Sequence, residues 1–290
     1  MKVYINGKLV PEREARISVF DHGLLYGDGV FEGIRTYHGR IFELDAHIRR
    51  LYDSAKAICM EIPLTPSGMK QAVARTCRAN KTLNGYVRLV VTRGVGTLGL
   101  NPYLCKKPQV IIIAAKIQLY PAELYEAGLD IITVATPRNL AEAVNPRIKS
   151  LNYLNNVLAK IEAINGGCVE AVMLNGDGAV AEATGDNIFI LRDGCLVTPP
   201  VDAGILEGIT RAVVMKLARA EGIPVQEKRI SRYDLYTADE MFLTGTAAEV
   251  VGVSKVDARV IGEGRPGPVT RRLMELYRDY ARHTGYPIDA

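Results

Sequence analysis

Short runs of alternating side chains closed by tight turns dominate this sequence and restrict what it can fold into. KVYINGKLVP pairs two such runs around Asn6-Gly7, and VFEGIRTYHGRIFEL pairs two more around His38-Gly39. A two-residue turn needs positive φ at its centre, which these dipeptides tolerate, so both stretches read as β-hairpins. Helical patterns follow over 45–59 and 66–81, then the strand runs YVRLVVTRG and VIIIAAK. Further on come DIITVATP, EAVMLN, NIFILRDGCLVTPP and EMFLTGT, with helical stretches after Ser150, after GIT and over PVTRRLMELYRDYARH. Strand runs far outnumber possible crossover helices, so the class is α+β with mixed or antiparallel sheets. Pro121 breaks the strand pattern, which places an N-terminal domain at 1–118, a linker at 119–129 and a larger C-terminal domain at 130–290.

Bulk properties exclude several roles. The net charge of +4 is spread along 290 residues, which argues against a nucleic-acid surface. The longest apolar run, VIIIAA, is far too short to cross a bilayer. The N-terminus MKVYING already reads as a strand entering a turn, so no signal peptide is expected. Five cysteines without a C-x-x-C pair indicate a reducing cytoplasm rather than a disulfide frame, and Cys59 and Cys77 read as small core residues of helices. The four histidines lack ligand spacing, so no metal site is expected.

The chemistry-bearing pieces are few. Lys149 opens a stretch with no other formal charge until Lys160, ahead of a helix on which Leu151, Leu154, Leu158 and Ile161 recur at helical spacing. It is either a surface lysine or a nucleophilic amine. EGITR and TGTAA each offer a glycine and a threonine (Thr210, Thr246) at the start of an ordered segment; such places bind phosphate, or are plain caps. Arg50, in AHIRRLYDSAK, is a phosphate clamp or a solvated helix charge. Glu182 stands between alanines in an apolar approach, where a carboxylate needs a partner; a protonated pyridine nitrogen is one. Tyr86 and Arg88 share one face of a strand, suited either to carboxylate recognition or to a solvated edge. YGDGVFEG lacks the strand-to-helix context of a dinucleotide fingerprint. A reactive amine, a carboxylate for a ring nitrogen and three phosphate anchors together make the inventory of a pyridoxal phosphate enzyme.

Six ordered stretches carry a resemblance over nearly the whole chain: DHGLLYGDGVFEGIRTYHGRIFELDAHIRRLYDSAK, YVRLVVTRGVGTLGLNP, IKSLNYLNNVLAKIEA, AEATGDNIF, LEGITR and FLTGTAAEV. They resemble the branched-chain amino-acid aminotransferases of the fold-type IV pyridoxal phosphate class. The resemblance implies a smaller sandwich-like N-terminal domain and a larger mixed-sheet, barrel-like C-terminal domain. It implies that Lys149 holds the cofactor as a Schiff base and shuttles a proton, and that Glu182 pairs with the pyridine nitrogen. Arg50, Ile209, Thr210 and Thr246 would hold the phosphate, and Tyr153 the phenolic oxygen. Tyr26, Phe31, Gly33 and Arg35 would form the substrate pocket with Tyr86 and Arg88. Arg88 would take glutamate's side-chain carboxylate, while Tyr86, Thr246 and Ala247 would take the α-carboxylate.

The implied reaction transfers the amine of L-valine, L-leucine or L-isoleucine to 2-oxoglutarate. The implied assembly is a homodimer or larger, with GVGTLGLNP lent to the neighbouring subunit. Rival expectations on the same scaffold are a D-amino-acid aminotransferase, an (R)-amine transaminase and an aminodeoxychorismate lyase. A non-catalytic phosphate-binding scaffold is the rival from another class.

Overall fold

The computed structural model describes residues 1–117 and 120–289. It divides into two compact units, Met1–Ile117 with Ile148–Asn152 and Ala281–Ala290, and Gln118–Arg147 with Tyr153–Tyr280.

The first unit holds β1 (Lys2–Ile5), β2 (Lys8–Pro11), β3 (Gly29–Tyr37), β4 (Arg40–Ile41), β5 (Gly85–Thr92), β6 (Gln109–Ala115) and the chain's last strand, β16 (Tyr286–Pro287). They form one antiparallel sheet in the order β16-β4-β3-β5-β6-β1-β2. Both expected hairpins are present, with positive φ at Asn6, Gly7, His38 and Gly39. Among the described residues three α-helices begin here: α1 (His22–Tyr26), α2 (Leu44–Ala57) and α3 (Pro66–Asn80). Strand alternation sends Val30, Ile34, Val87, Leu89 and Val91 into one core, where they meet Leu44, Ile48 and Leu51 of α2 and Met69, Val73 and Cys77 of α3. Cys59 is not a core residue; it lies past the end of α2, exposed, at φ 51°.

The pairing of β4 with β3 reaches only Thr36 and Tyr37. Farther along the same strand, the Leu151 N–H donates to the Gly29 carbonyl (2.9 Å) and the Phe31 N–H donates to the Lys149 carbonyl (2.9 Å). Lys149 therefore packs with the N-terminal sheet, which corrects its expected place in the C-terminal domain. The same correction holds for 281–290, whose strand β16 pairs with β4. The expected boundary between 118 and 119 lies outside the described residues, and the expected linker contains a short helix, α4 (Ala122–Ala127).

The second unit holds β7 (Leu129–Thr133), β8 (Glu170–Leu174), β9 (Val180–Ala183), β10 (Asn187–Arg192), β11 (Cys195–Thr198), β12 (Val225–Glu227), β13 (Glu240–Gly245), β14 (Glu249–Val256) and β15 (Arg259–Val260). The sheet order is β12-β11-β10-β13-β14-β7-β8-β9, with β15 beside β14. Parallel pairs (β11 with β12, β14 with β7, β7 with β8) interrupt an otherwise antiparallel sheet, so it is mixed. Its α-helices among the described residues are α4, α5 (Leu154–Asn165), α6 (Ile209–Ala220), α7 (Arg232–Tyr236) and α8 (Pro268–His283), the last up to Tyr280.

The helix after Lys149 buries a different face from the one its leucines suggest. Ala159 and Ala163 are fully buried and pack with Val134, Ala171 and Met173. Leu154, Leu158 and Ile161 are exposed, and Leu151 lies before the helix, in the segment paired with Gly29. Small residues let α5 sit close on β8, and there is no room there for a larger side chain. Replacing Ala163 with Leu should therefore cost about 1–3 kcal/mol of stability through overpacking, read as a lowered midpoint in urea unfolding.

Candidate active site

In the first unit Lys149 is held by its own backbone. Its N–H donates to Ser54 Oγ on α2 (3.1 Å), and its carbonyl accepts from Phe31. Its Nζ lies 4.7 Å from the centre of the Phe31 ring. Arg88 Cζ lies 4.6 Å from the same ring and 5.4 Å from that of Tyr86. In the strand register Gly33 faces Arg88, and Arg35 faces Tyr86. A Cβ on Gly33 would fall 1.9 Å from the Tyr86 hydroxyl oxygen, so glycine is what lets that ring lie across β3. The guanidinium of Arg35 stands 5.2 Å from the Tyr37 ring. Phe31, Gly33, Arg35, Tyr86 and Arg88 thus share one sheet face. It is an aromatic wall with cationic groups on it, suited to an apolar side chain and a carboxylate together.

Tyr26 belongs to another cluster. Its hydroxyl donates to the Leu98 carbonyl, its ring meets His22 edge-on at 5.0 Å, and His22 Nε2 lies 2.7 Å from the Thr97 carbonyl. A carbonyl only accepts, so that His22 nitrogen carries the proton.

Arg50 is neither a solvated charge nor alone. Its Nε donates to Glu32 Oε1 (2.7 Å) and its Nη2 to Glu32 Oε2 (2.8 Å), a two-pronged pair with Glu32 wholly buried. His47 Nδ1 lies 2.7 Å from Oε2. Burial pushes the Glu32 carboxyl up, but the charges and hydrogen bonds of Arg50 and His47 outweigh it and hold the carboxyl at about 2. Burial pushes His47 down, against the pull of Glu32, so the imidazole is neutral at neutral pH and donates through Nδ1. Because the Glu32 pKa is depressed, its stabilisation is complete above the ordinary value of 4.5 and is lost as pH falls towards 2. The sequence reading missed both Glu32 and His47, although Glu32 falls on the core-facing side of β3.

In the second unit Glu182, on β9, is not a lone carboxylate. Arg138 Nε donates to Oε1 (2.8 Å), while Asn187 Nδ2 (2.9 Å) and the Leu206 N–H (3.0 Å) donate to Oε2. Arg138 also reaches Asn156 Oδ1 (3.3 Å). An ionised carboxylate, which only accepts, is the form that such a set of donors requires. Arg138 stands 44 residues away in a loop, and no spacing rule in the sequence signals it.

Asn187 links Glu182 to the next feature. Its Nδ2 also donates to the Leu206 carbonyl (3.0 Å), and its Oδ1 is so near Gly208 that a Cβ there would sit 1.9 Å away. Gly208 is the N-cap of α6, with no side-chain cap bond and no acidic residue in the first turn. Thr210 is consequently not a cap; it lies inside the helix, buried, one residue after Ile209. Thr246 is not a helix cap either. It lies with Ala247 in the turn between β13 and β14, beside Gly245, where a Cβ would meet Asp186 Oδ1 at 1.7 Å. Tyr153 occupies the N-cap position of α5 without a side-chain cap bond.

The first turn of α6 presents N–H groups without helical partners at the positive end of a 12-residue helix dipole, which favours an anion. An arginine-held carboxylate joined through Asn187 to that helix end fits the two ends of pyridoxal phosphate: a ring nitrogen that carries a proton, and a phosphate.

A family model described as amino-transferase class IV matches residues 29–256. A Methanocaldococcus jannaschii protein, provisionally named a branched-chain-amino-acid aminotransferase, is 54% identical over 99% of both chains. The branched-chain-amino-acid aminotransferase of Pseudomonas aeruginosa is 42% identical, covering 96% of this chain and 92% of that one. Among solved structures, the T.th. branched-chain amino acid aminotransferase with pyridoxamine 5′-phosphate superposes with a TM-score of 0.93 at 40% identity, covering 97% of this chain and 94% of that one.

The buried Arg138–Glu182 pair gives a direct check. Arg138→Met leaves Glu182 charged and buried, and should cost about 3–5 kcal/mol in urea unfolding, with much of the loss recovered in the Arg138→Met/Glu182→Met double variant.

Proposed function

The chain belongs to the class IV aminotransferases, and we propose that it carries the amino group of L-valine, L-leucine or L-isoleucine to 2-oxoglutarate, reversibly, giving branched-chain 2-oxo acids and L-glutamate. The observation that carries this reading is the single sheet face on which Phe31, Tyr86 and Arg88 stand beside the Lys149 amine. Such a face offers an apolar wall to a branched side chain and a guanidinium to the second carboxylate of glutamate. One surface then serves two unlike substrates in turn.

Pyridoxal 5′-phosphate, the cofactor of this family, supplies an electron sink that stabilises the charge left at the substrate Cα. Lys149 would hold the group through Nζ, and its amine would be the base that takes the substrate Cα proton. Glu182, with Arg138, Asn187 and Leu206 around it, would pair with the ring nitrogen and favour its protonated form. In this reading Arg50 of the first unit is a phosphate-binding group; in the second unit Thr210, Thr246 and the Ile209 N–H are phosphate-binding groups, and the Tyr153 hydroxyl would donate to the phenolic oxygen. Phe31 would face the branched side chain, while Tyr26 stands with His22 and Leu98 in the other cluster. Arg88 and Arg35 set the polar rim, and Gly33 leaves space for Tyr86. Tyr86 in the first unit and, in the second, the turn at Thr246 and Ala247 are the α-carboxylate-binding groups of the same reading.

A homodimer as the minimum unit is part of the same proposal. Leu98, Leu100 and Tyr103 are 69%, 77% and 75% exposed on the loop that Tyr26 and His22 engage, and α5 exposes its leucines. Clustered apolar surface of this kind is characteristic of association. Among the described residues no helix is long and apolar enough to cross a membrane. The five cysteines are all free, which supports a cytoplasmic setting.

Purified holoenzyme should lose its visible cofactor band on addition of L-leucine alone, and regain it with 2-oxoglutarate. A faster loss with D-alanine would overturn the substrate assignment. Arg88→Gln should raise KM for 2-oxoglutarate by roughly 10-fold or more, the scale of one lost charge-assisted bond, and change KM for L-leucine far less.

A further inference from the structure

We propose that Glu32 is a positioning residue for the cofactor phosphate: it sets the plane of the Arg50 guanidinium, so that phosphate binding depends on a carboxylate that itself never meets the ligand. This rests on the assignment of Arg50 to the phosphate made above.

Alternation along β3 turns Phe31 and Gly33 to the aromatic wall and Glu32 to the core, between Val30 and Ile34, where it is 0% exposed. A carboxylate there is costly unless fully paired. The pairing comes from α2, which presents His47, Arg50 and Ser54 at successive turns. Arg50 meets Glu32 through two parallel bonds from Nε and Nη2. One such bond would leave the guanidinium free to swing about it; two fix its plane. His47 takes a further lone pair on Oε2, so the carboxylate cannot turn away. Among the described residues its Nε2 is buried without a hydrogen-bond partner, so the imidazole is anchored from the Glu32 side.

Arg50 keeps 13% of its side chain exposed while Glu32 keeps none, so Arg50 is the member of the pair that an anion can reach. Ser54, on the same face of α2, holds the Lys149 N–H, and Glu32 therefore ties β3 to the helix that serves both groups. Stability alone does not call for this arrangement, since an apolar pair of similar volume packs a core at least as well.

The test compares pyridoxal 5′-phosphate with pyridoxal, which lacks the phosphate, as ligands for the cofactor-stripped full-length protein. Kd is read by equilibrium dialysis. Glu32→Gln should weaken the phosphorylated ligand by about tenfold or more, the scale of a charge-assisted pair, and leave pyridoxal nearly unchanged. In an Arg50→Met background the same substitution should add no further loss. Glu32→Asp keeps the charge but withdraws it by one methylene; it should show the same selectivity in weaker form, and serves if the glutamine variant folds poorly. Equal weakening of both ligands by the Glu32 variants would overturn the positioning role. If Arg50→Met is selective for the phosphorylated ligand and Glu32→Gln is not, the positioning role alone falls. If Arg50→Met weakens both equally, the phosphate assignment of Arg50 falls with it.

Discussion

Everything proposed for Lys149 depends on five residues, Ile148–Asn152, pairing with β3 along a stretch that β4 does not reach. That pairing holds the lysine carbonyl on Phe31, and Ser54 of α2 holds its N–H. The amine then lies over the Phe31 ring, with Nζ 4.7 Å from the ring centre. A lysine on a free loop would lose entropy each time it returned to a reactive pose. Here the backbone of the lysine is fixed on folding, by Ser54 and Phe31.

Each unit also buries one carboxylate against one arginine: Glu32 with Arg50, and Glu182 with Arg138. Pairs of this kind rarely add net stability, because desolvation offsets the attraction. Their value lies in direction. Glu182 has donors on both oxygens and a fixed position on β9, which suits a group meant to face a cationic ring nitrogen. Glu32 is more deeply buried and acts on its own arginine. The two sites illustrate how an ion pair that does little for stability can still determine where a charge points.

Much of this was legible in the sequence, and the reasons differ from residue to residue. Tyr86 and Arg88 were placed on one face because strand periodicity admits no other result, and the Asn6-Gly7 and His38-Gly39 turns followed from the φ values such turns demand. Arg138 was not legible, since a loop arginine carries no spacing that points to a carboxylate 44 residues away. Glu32 was overlooked although a signal existed: it occupies a core-facing position among Val30, Ile34 and Thr36. The leucines of α5 misled in another way. Helical spacing reveals an apolar face but not what covers it, and the face this chain buries is the alanine side. Thr210 and Thr246 do stand at the start of ordered segments, one in the first turn of a helix and the other in a hairpin turn, but neither is a helix cap.

The claim on which the chemistry turns is that Lys149, and no other lysine, holds the cofactor. Borohydride reduction of the holoenzyme would fix the cofactor irreversibly to whichever amine carries it, and peptide mass spectrometry would then locate the label. A single label on the peptide containing Lys149 is the predicted result. A label on any other lysine, with Lys149 unmodified, would contradict the account.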